Sequence, residues 1–550
     1  MILFEGTNYS QHEVVKNAFP NISKYLKYDI LRCVGYFRHK GEMVFILPKS
    51  FKSIFSSQGL VGDYLHFKAI QDKKKATDLS LWTYGAIDRY RNRIMKTRVV
   101  NDIVSDVIVT SKIDEHSTTL LDHIIALRNF FERNRSLILM IYKEVHRGFN
   151  RINWSKTVRK KVPIICNNKQ VAYTEVCNEK RYVHDQEELM VLYFSTMRYV
   201  QSHYGLNMPT SPYYQLLRES EFEVLVDNDM ILGRLNGIRQ QYFSDKMCEL
   251  WKLLYAFHQE LSPDSQDQQV LLGSSNYQDE YLLATDFNLV FEDMIDYLIS
   301  DPNLMSLKKH ADNRQIDHIF LGKSLIDPES KVFYIADSKY YDMASDIDDI
   351  SKAKQFDYAQ NIIQMVRDRS NGRNVYEQMD KSVADSYYDP QSHGYTIMPN
   401  FFIRPKDNCN SDEELNFSQI EKVEENYQHQ GCLFDRSTLF LLQFEINLSF
   451  VLKTYALEDT PERDKAKSAI EETVFNLLYK YINRHYLILK IPLSWVVFQK
   501  NAPVNIWLGR TFYIKKKSKL IIALPKNDVR MENKIKRIMK GLCSSKKNSK

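Results

Sequence analysis

The clearest pattern of apolar and polar positions lies in the middle of the chain, where residues 314–321 and 331–341 are short apolar runs flanked by turn-forming residues. Runs of this length and composition predict two buried β-strands, and we expect the two strands to pair. Because side chains alternate along a strand, Asp337 and Lys339 share one face, and Asp317 of the neighbouring strand can join them. The pattern therefore predicts a cluster of ionisable side chains in an otherwise apolar sheet.

Two carboxylates and a lysine are unfavourable in such a sheet unless something compensates for their lost hydration. A Mg²⁺ ion would compensate, since it binds carboxylate oxygens and keeps waters and phosphate oxygens in its shell. Asp317 followed by Asp337-Ser338-Lys339 therefore predicts metal-assisted hydrolysis of phosphodiester bonds, with one or two Mg²⁺ ions. Acid-x-Lys alone is not specific, because it recurs at 72–74, 329–331 and 532–534. The alternative is that these charges only end their strands at the solvent boundary.

An amphipathic helix is predicted before the strand pair, at residues 286–299, with Thr285 or Asp286 as its N-terminal cap. Glu292 lies at the edge of its apolar face, where the carboxylate could lean towards the metal.

A second helix is predicted after the strand pair, at residues 349–367, and Gln355 and Tyr358 share one side of it because they are three positions apart. A further strand is predicted at residues 394–404.

This order of helix, strands, helix and strand resembles the PD-(D/E)xK nuclease core. Ile316 stands where that core often has proline, and the spacing from Gln355 to Tyr358 is one residue shorter than the common form. The resemblance implies metal ligands at Asp317, Asp337 and Glu292, catalytic roles for Lys339 and Gln355, and supporting roles for Ser338 and Tyr358.

Length and composition indicate a folded protein of two to four domains, with 550 residues, 44% hydrophobic and 26% charged. The net charge of +6 is compatible with a phosphate-bearing partner but does not require one. Several basic clusters favour nucleic acid, although each alone is more typical of a solvated face. These clusters lie at residues 73–75, 89–98, 159–161, 515–517 and 530–550.

The seven cysteines show neither C-x-x-C nor a histidine at zinc spacing, so neither a zinc site nor a disulfide framework is predicted. The N-terminus lacks the features of a signal peptide, and no apolar run is long enough to span a membrane. We therefore expect a cytoplasmic protein without a membrane partner.

The N-terminal part is predicted to contain a hairpin at residues 29–50, followed by helices at 118–147 and 185–201. Between these helices, residues 151–157 are interpreted as a polar loop anchored by Trp154.

A second resemblance rests on the hairpin, the following loop and the nuclease core, and covers roughly residues 30–405. The chain is similar to LlaJI-family restriction endonucleases, which are relatives of the McrC subunit of McrBC-type systems. The motifs that carry the similarity are Val34-Gly35-Tyr36, Val44-Phe45-Ile46-Leu47-Pro48-Lys49 and Ile152-Asn153-Trp154-x-Lys156-Thr157. The resemblance implies cleavage of double-stranded DNA together with a McrB-like AAA+ GTPase, which the N-terminal part would contact and stimulate.

This chain lacks the phosphate-binding loop of such a GTPase. The nearest match, Gly322-Lys323-Ser324, has Asp317 where the first glycine is required. We therefore expect GTP to enter only through the partner subunit, and no nucleotide-binding residue in this chain.

The predicted fold class is α/β, in the form of an α+β multidomain protein with a mixed central sheet. Beyond the core we predict a polar linker at 406–430, helices at 435–457 and 461–486 with Thr460 as a cap, and a strand-rich end at 487–525. The predicted domains are an N-terminal partner-contact domain (1–150), a helical middle region (151–280), the nuclease domain (281–405) and a C-terminal region (406–550).

These observations favour the nuclease subunit of a restriction system, acting in anti-phage defence. Two alternatives stay open: a stand-alone exonuclease or repair nuclease with the same core, and a non-catalytic adaptor that only stimulates a GTPase ring. A DNA methyltransferase is disfavoured, because the chain has no Asp/Asn-Pro-Pro-Tyr/Phe tetrapeptide.

Overall fold

The computed structural model of the protein describes most of the 550 residues. The described ranges are 2–8, 26–27, 30–39, 42–52, 70–96, 107–111, 118–135, 141–146, 151–165, 171–183, 187–262, 280–308, 315–340, 347–370, 387–406, 414–420, 423–426, 431–500 and 507–547. Helices and several mixed sheets occur throughout, so the prediction of an α+β multidomain fold is confirmed.

The N-terminal half contains strands and helices in alternation. In chain order they are β1 (Ile2–Phe4), β2 (Leu26–Lys27), β3 (Ile30–Leu31), β4 (Val34–His39), β5 (Glu42–Leu47), α1 (Ile70–Lys96), β6 (Ile108–Thr110), α2 (Leu120–Arg133), β7 (Ile141–His146), β8 (Arg151–Ile152), α3 (Trp154–Lys160), β9 (Ile164–Ile165), β10 (Val171–Ala172), β11 (Asn178–Val183), α4 (Glu188–Tyr204), α5 (Glu219–Asp227), α6 (Met230–Ile238) and α7 (Asp245–Leu261).

The second half begins with β12 (Glu280–Ala284), α8 (Phe287–Ile299), α9 (Met305–Lys308), β13 (His318–Lys323), β14 (Lys331–Ser338) and α10 (Asp349–Ser370). It continues with β15 (Tyr388–Asp389), β16 (Gly394–Tyr395), β17 (Asn400–Lys406), β18 (Phe417–Gln419), β19 (Glu424–Glu425), β20 (Phe440–Asn447), α11 (Leu448–Ala456), α12 (Thr460–His485), β21 (Tyr486–Ile491), α13 (Trp495–Lys500), β22 (Thr511–Ile514), β23 (Lys519–Pro525) and α14 (Val529–Lys547).

A five-stranded sheet in the order β1-β5-β4-β12-β6 forms the N-terminal body. The predicted hairpin is confirmed, because β4 and β5 pair antiparallel with Gly35 opposite Ile46; residues 40 and 41 of its expected turn lie outside the described residues. Strand β12, distant in sequence, pairs with both β4 and β6. Gly35 has a positive φ of 148°, and a Cβ there would overlap with the carbonyl oxygen of Leu282, so the β4–β12 pairing requires glycine.

The central sheet has the order β13-β14-β17-β20-β18, with β19 also paired to β20. The predicted pairing of the two middle strands is confirmed, since β13 and β14 are antiparallel. Strands β14, β17 and β20 are parallel to one another. Helix α8 packs against β13 and β14, whereas Phe356 of α10 packs with Phe402 and Leu441 of the sheet. Helix α10 also contributes Ala359, Ile362 and Val366 to the main apolar core that contains α8, so both flanking helices pack around the one sheet.

The helices that flank the strand pair follow their predictions. Asp286 caps α8, since its carboxylate accepts a hydrogen bond from the backbone N–H of Asn288. Helix α10 begins at Asp349, as predicted, and ends at Ser370. The strand predicted at 394–404 is two strands, β16 and the longer β17.

Several N-terminal predictions are wrong in part. The helix predicted at 118–147 ends at Arg133, and residues 141–146 form β7. The helix predicted at 185–201 is confirmed as α4. The loop at 151–157 is instead β8 and the start of α3, because the Asn153 side chain accepts from Lys156 N and caps the helix. Trp154 is 57% exposed and makes an edge contact with Tyr173, so it does not anchor a buried loop.

The C-terminal region also departs from the sequence prediction. Residues 440–447 of the helix expected at 435–457 form β20, in the interior of the central sheet, and only 448–456 are helical. Helix α12 is confirmed, with Asp459 rather than Thr460 as its cap. The expected linker contains β18 and β19, while residues 407–413, 421–422 and 427–430 lie outside the described residues. The strand-rich end is confirmed and includes helix α13.

Candidate active site

Asp317, Asp337 and Lys339 lie together at one end of the β13–β14 pair. The antiparallel register places His318 opposite Ala336, and the same register one step further places Asp317 opposite Asp337. The two carboxyl groups are within hydrogen-bonding range of each other. The Lys339 Nζ lies 2.6 Å from Oδ2 and 2.9 Å from Oδ1 of Asp337. The three side chains that were chosen from strand alternation thus form one contact cluster.

The cluster is largely withdrawn from solvent. Asp337 is 6% exposed, and Asp317 is half-buried. Burial raises the pKa of Asp317 well above its ordinary value, and the hydrogen bond and negative charge of Asp337 raise it further, whereas Lys339 opposes the shift. Two carboxylates with one lysine leave an excess negative charge, which either a proton or a cation must neutralise.

Glu292 approaches this cluster from α8 without completing a metal-ligand set. Burial raises the pKa of Glu292, His318 and Lys308 lower it, and the charge of Asp337 adds a smaller increase. Across the part of the chain that the structure describes, no three Asp, Glu, His or Cys side chains converge as metal ligands. Glu292 is therefore an electrostatic neighbour of the two aspartates in this arrangement.

Gln355 faces strand β17. It is 1% exposed; its Nε2 donates a 2.8 Å hydrogen bond to Asn400 Oδ1, and Asn400 Nδ2 donates to the Gln355 carbonyl at 3.2 Å. This reciprocal pair fixes α10 to the central sheet one strand away from Asp337. Tyr358 is half-buried and packs against the main apolar core.

Two buried oxygens near the cluster have no hydrogen-bond partner among the described residues. They are Oγ of Ser338, which strand alternation places on the opposite face of β14 from Asp337, and Oε1 of Gln355. Unpaired buried acceptors are unfavourable unless water or a ligand satisfies them. At the cluster itself, the excess carboxylate charge of Asp317 and Asp337 makes the donor set suitable for a hydrated divalent cation.

Three residues that the sequence did not single out hold Asp317 in place. The Lys308 ammonium contacts both the Asp296 carboxylate and the backbone carbonyl of Asp317. His318, with 0% exposure, has Nδ1 3.3 Å from Asp296 Oδ1. Although burial acts to raise the pKa of Asp296, hydrogen bonds from His318 and Lys308 lower it below the ordinary range. The only sequence signal was the position of Asp296, one turn after Glu292 on the same helix.

A model of the LlaJI restriction endonuclease family matches residues 33–424. The chain belongs to this family. The matched segment contains the hairpin, strand β12, helix α8 and every candidate site residue named above. The LlaJI family match ends before β20, although that strand lies beside β17 in the central sheet.

Comparison of the chain with solved structures and with curated proteins gives no further evidence on its fold or partner. One chain from an assembly of Thermococcus gammatolerans, described as McrB AAA+ hexamers with bound McrC, aligns over 83% of this chain and 98% of its own, with 10% identity and a TM-score of 0.28. At that score the alignment establishes neither a shared fold nor a shared partner. No curated protein matches the chain. None of the described helices is both long and apolar enough to cross a membrane.

Proposed function

We propose that this LlaJI family protein is a Mg²⁺-dependent endonuclease that hydrolyses phosphodiester bonds of double-stranded DNA at the Asp317–Asp337–Lys339 cluster. The observation that carries the proposal is the contact of Lys339 with a buried aspartate that lies opposite a second aspartate. This arrangement supports the proposal because it agrees with the site that the resemblance to the PD-(D/E)xK core implies. The membership of the chain in a restriction endonuclease family supports the same activity.

Asp317 and Asp337 would hold the divalent cation, and water would fill the rest of its coordination shell. When bound, the cation would supply a Lewis acid for the scissile phosphate. Burial of Asp337 limits competition by bulk water for its oxygens. The raised pKa of Asp317 is consistent with a carboxyl group that needs a positive partner.

Lys339 would act on the substrate side of the cluster. Its ammonium contacts Asp337 yet keeps about a quarter of its side-chain surface exposed, at 23%. A phosphodiester bound at the cation brings one more negative charge, which this ammonium is placed to balance as charge develops on the phosphate oxygens. The same ammonium can orient the attacking water. Gln355 is proposed to keep α10 and β17 in register with the site, and Glu292 to interact with water near the cation.

A McrB-like AAA+ GTPase is the partner that we propose. The support is the motif similarity of the hairpin and of residues 152–157, together with the absence of a phosphate-binding loop in this sequence. Helix α3 offers a surface for such a partner, because Trp154 and Val158 are both more than half exposed. In a cytoplasmic restriction system, GTP would then act only through that subunit.

The test is cleavage of plasmid DNA by the purified protein, with and without Mg²⁺ and with and without a GTPase from the same system. Asp337→Ala and Lys339→Ala are each expected to lower cleavage at least 100-fold while leaving the folded state and partner binding intact. Lys331→Ala is the matched control, because Lys331 is exposed at the opposite end of the same strand. The proposal fails if Asp337→Ala cuts DNA like the parent.

A further inference from the structure

Residues 486–500 and 507–547 form a small α+β unit beyond the end of the LlaJI family match. Its three antiparallel strands have the order β21-β23-β22. One face of this sheet packs against α13 and α14 through an apolar cluster separate from the main core. The cluster contains Trp495, Phe498, Trp507, Leu520, Ile522, Leu524 and Ile535. We call this unit the C-terminal module.

The opposite face of the same sheet attaches the C-terminal module to the rest of the protein. Phe512, Ile521 and Ala523 belong to the main apolar core. The backbone N–H of Tyr513 donates a 3.1 Å hydrogen bond to Asp389. Lys517 forms ion pairs with Asp327 and Glu329 in the β13–β14 connection. Its ammonium lies 2.8 Å from the Glu329 carboxylate. The module is therefore fixed to the body that carries the candidate active site.

The charge of the C-terminal module is extreme for its size. Residues 486–547 contain 15 Lys or Arg and two acids, Asp528 and Glu532, an excess of 13 positive charges. The whole chain has a net charge of +6, so the remaining residues are together net negative. Positive charge concentrated in this way produces a local potential that attracts polyanions.

Helix α14 presents much of this charge on one surface. Ile535 is buried in the module, whereas Arg530, Lys534 and Arg537 are exposed at positions i, i+4 and i+7 and so form a stripe along the helix. Lys536 and Lys540 are exposed beside this stripe. Glu532 forms an ion pair with Lys536, at 2.6 Å. A second exposed basic group, Lys515, Lys516 and Lys519, lies where β22 leads into β23.

We propose that the C-terminal module binds the phosphate backbone of double-stranded DNA without sequence preference and so holds the substrate for the nuclease site. Duplex DNA carries about one charge per 1.7 Å of its axis, and α14, with 19 residues, is roughly 28 Å long. The exposed stripe from Arg530 to Arg537 spans roughly 10 Å of this axis, so it has the sign and a sufficient length to meet several phosphates. This inference rests on the proposed nuclease function for its purpose, but its evidence comes from a different part of the chain.

The packing of α14 argues against an anionic membrane as the ligand. A helix that lies in a membrane interface needs an apolar face available to the lipid. In α14 the isoleucines at 535 and 538 pack into the module instead. What remains outside is predominantly cationic and polar, which suits phosphate groups in water.

The test uses the full-length protein with Asp337→Ala to prevent cutting, and measures binding of a fluorescent 30-base-pair duplex by anisotropy at several salt concentrations. The variant R530Q/K534Q/R537Q removes the stripe, and R234Q/K246Q/K252Q removes three exposed charges from α6 and α7 as a matched control. We expect the stripe variant to bind roughly 10- to 100-fold more weakly, with the salt slope reduced by about 0.9 for each phosphate that the variant no longer neutralises. The control triple is expected to bind like its parent.

The inference is overturned if the stripe variant binds the duplex as tightly as the control triple, with the same salt slope. It is also overturned if vesicles containing phosphatidylserine, or single-stranded RNA of equal length, bind more tightly than the duplex and respond more strongly to the stripe substitutions. In the cutting-competent protein, the stripe variant is expected to need about tenfold more DNA for half-maximal cleavage.

The two proposals fail in different ways. If Asp337→Ala still cut DNA while the stripe variant lost binding, the nuclease assignment would fall and the DNA-binding module would stand. If Asp337→Ala abolished cutting while the stripe variant bound normally, the reverse would hold.

Discussion

The hydroxyl of Tyr340 donates a 2.7 Å hydrogen bond to the carboxylate of Glu5. Tyr340 directly follows Lys339, and Glu5 directly follows β1. The backbone N–H of Lys49 also donates to the Tyr340 hydroxyl, at 3.1 Å, and the Lys49 ammonium lies 4.9 Å from the centre of the tyrosine ring. The N-terminal sheet is thus bonded to the residue beside the candidate catalytic lysine.

Tyr340→Phe should weaken this connection. It removes the hydrogen bond to Glu5 and leaves that carboxylate with one donor fewer, at a cost of about 1–3 kcal/mol in the free energy of unfolding. Urea unfolding of the parent and the variant measures the difference. Tyr213→Phe is the control, because Tyr213 is half exposed. Equal stability of the two variants would show that the Glu5 contact contributes nothing.

Lys308→Gln should raise the Mg²⁺ concentration that cleavage requires more than it weakens DNA binding. The ammonium joins Asp296 to the backbone carbonyl of Asp317, so its loss frees the segment that positions one proposed metal ligand. Changes to groups that support metal ligands typically cost 10- to 100-fold in metal affinity or activity. We therefore expect the Mg²⁺ concentration for half-maximal cleavage to rise by about that factor, with the KM for DNA little changed.

Lys308→Arg is the informative comparison for that variant. Arginine keeps the positive charge and has enough N–H donors for both the Asp296 carboxylate and the Asp317 carbonyl. If Lys308→Arg needs nearly the same Mg²⁺ concentration as the parent, the result would support a role for Lys308 in positioning Asp317. A parent-like Mg²⁺ requirement in Lys308→Gln, measured on protein shown to be folded, would exclude it.

Gln355→Leu should disturb the junction of α10 and β17. The substitution has a similar size but leaves Asn400 Oδ1 buried without its 2.8 Å donor. The expected loss is about 1–3 kcal/mol of unfolding free energy, with a lower kcat for cleavage because the strand beside Asp337 shifts. Gln364→Leu on the exposed side of the same helix is the control. If both variants unfold at the same urea concentration, the Gln355–Asn400 hydrogen bonds do not stabilise the junction of α10 and β17.

The stability of the protein should fall between pH 6.5 and pH 4.5 in part because of His258. Burial lowers the pKa of His258 to about 3, and its Nε2 lies 2.9 Å from the Thr196 hydroxyl. Below about pH 6.5 the unfolded chain takes up a proton at this residue and the folded chain does not, so acid favours unfolding. The stabilisation is fully present above that pH and declines by up to about 1.4 kcal/mol per pH unit as pH falls.

Urea unfolding across this pH range checks the sign and the slope. His258→Gln should be less stable than the parent near pH 7 yet show a shallower dependence on pH. His203→Gln, at an exposed histidine, should keep the parent slope. If the unfolding free energy of His258→Gln depends on pH as steeply as that of the parent, the acid sensitivity comes from other groups.

The part of the fold that sequence predicted well is the part determined by local patterns. The hairpin, α8 and the β13–β14 pair each follow from short apolar periodicities and nearby turn residues. Strand β20 could not be predicted in this way. Its residues Phe440, Leu441, Leu442 and Phe444 are buried on both faces of the sheet, and such a run has the same pattern in a strand and in a buried helix.

In the candidate site, too, local sequence patterns predicted some contacts, whereas contacts that depend on long-range packing were not predicted. Strand alternation and one hairpin register were enough to bring Asp317 to Asp337 and Lys339. The support from Lys308 and His318 depends on how α8 and α9 pack against β13, and no short-range pattern specifies that packing. The proposed role of Gln355 stays a prediction, and its hydrogen-bond partner Asn400, 45 positions away, was not predicted.

Strand β12 constrains exchange of the N-terminal sheet. It lies between β4 and β6 in the N-terminal sheet, and only Thr285 and Asp286 separate its last residue from the helix that carries Glu292. Genetic exchange that replaced only the region upstream of residue 280 would combine a foreign sheet with this strand and the Leu282 carbonyl that requires glycine opposite it. A replacement N-terminal sheet would therefore need strands compatible with β12, so this sheet and the segment that carries Glu292 form one structural unit.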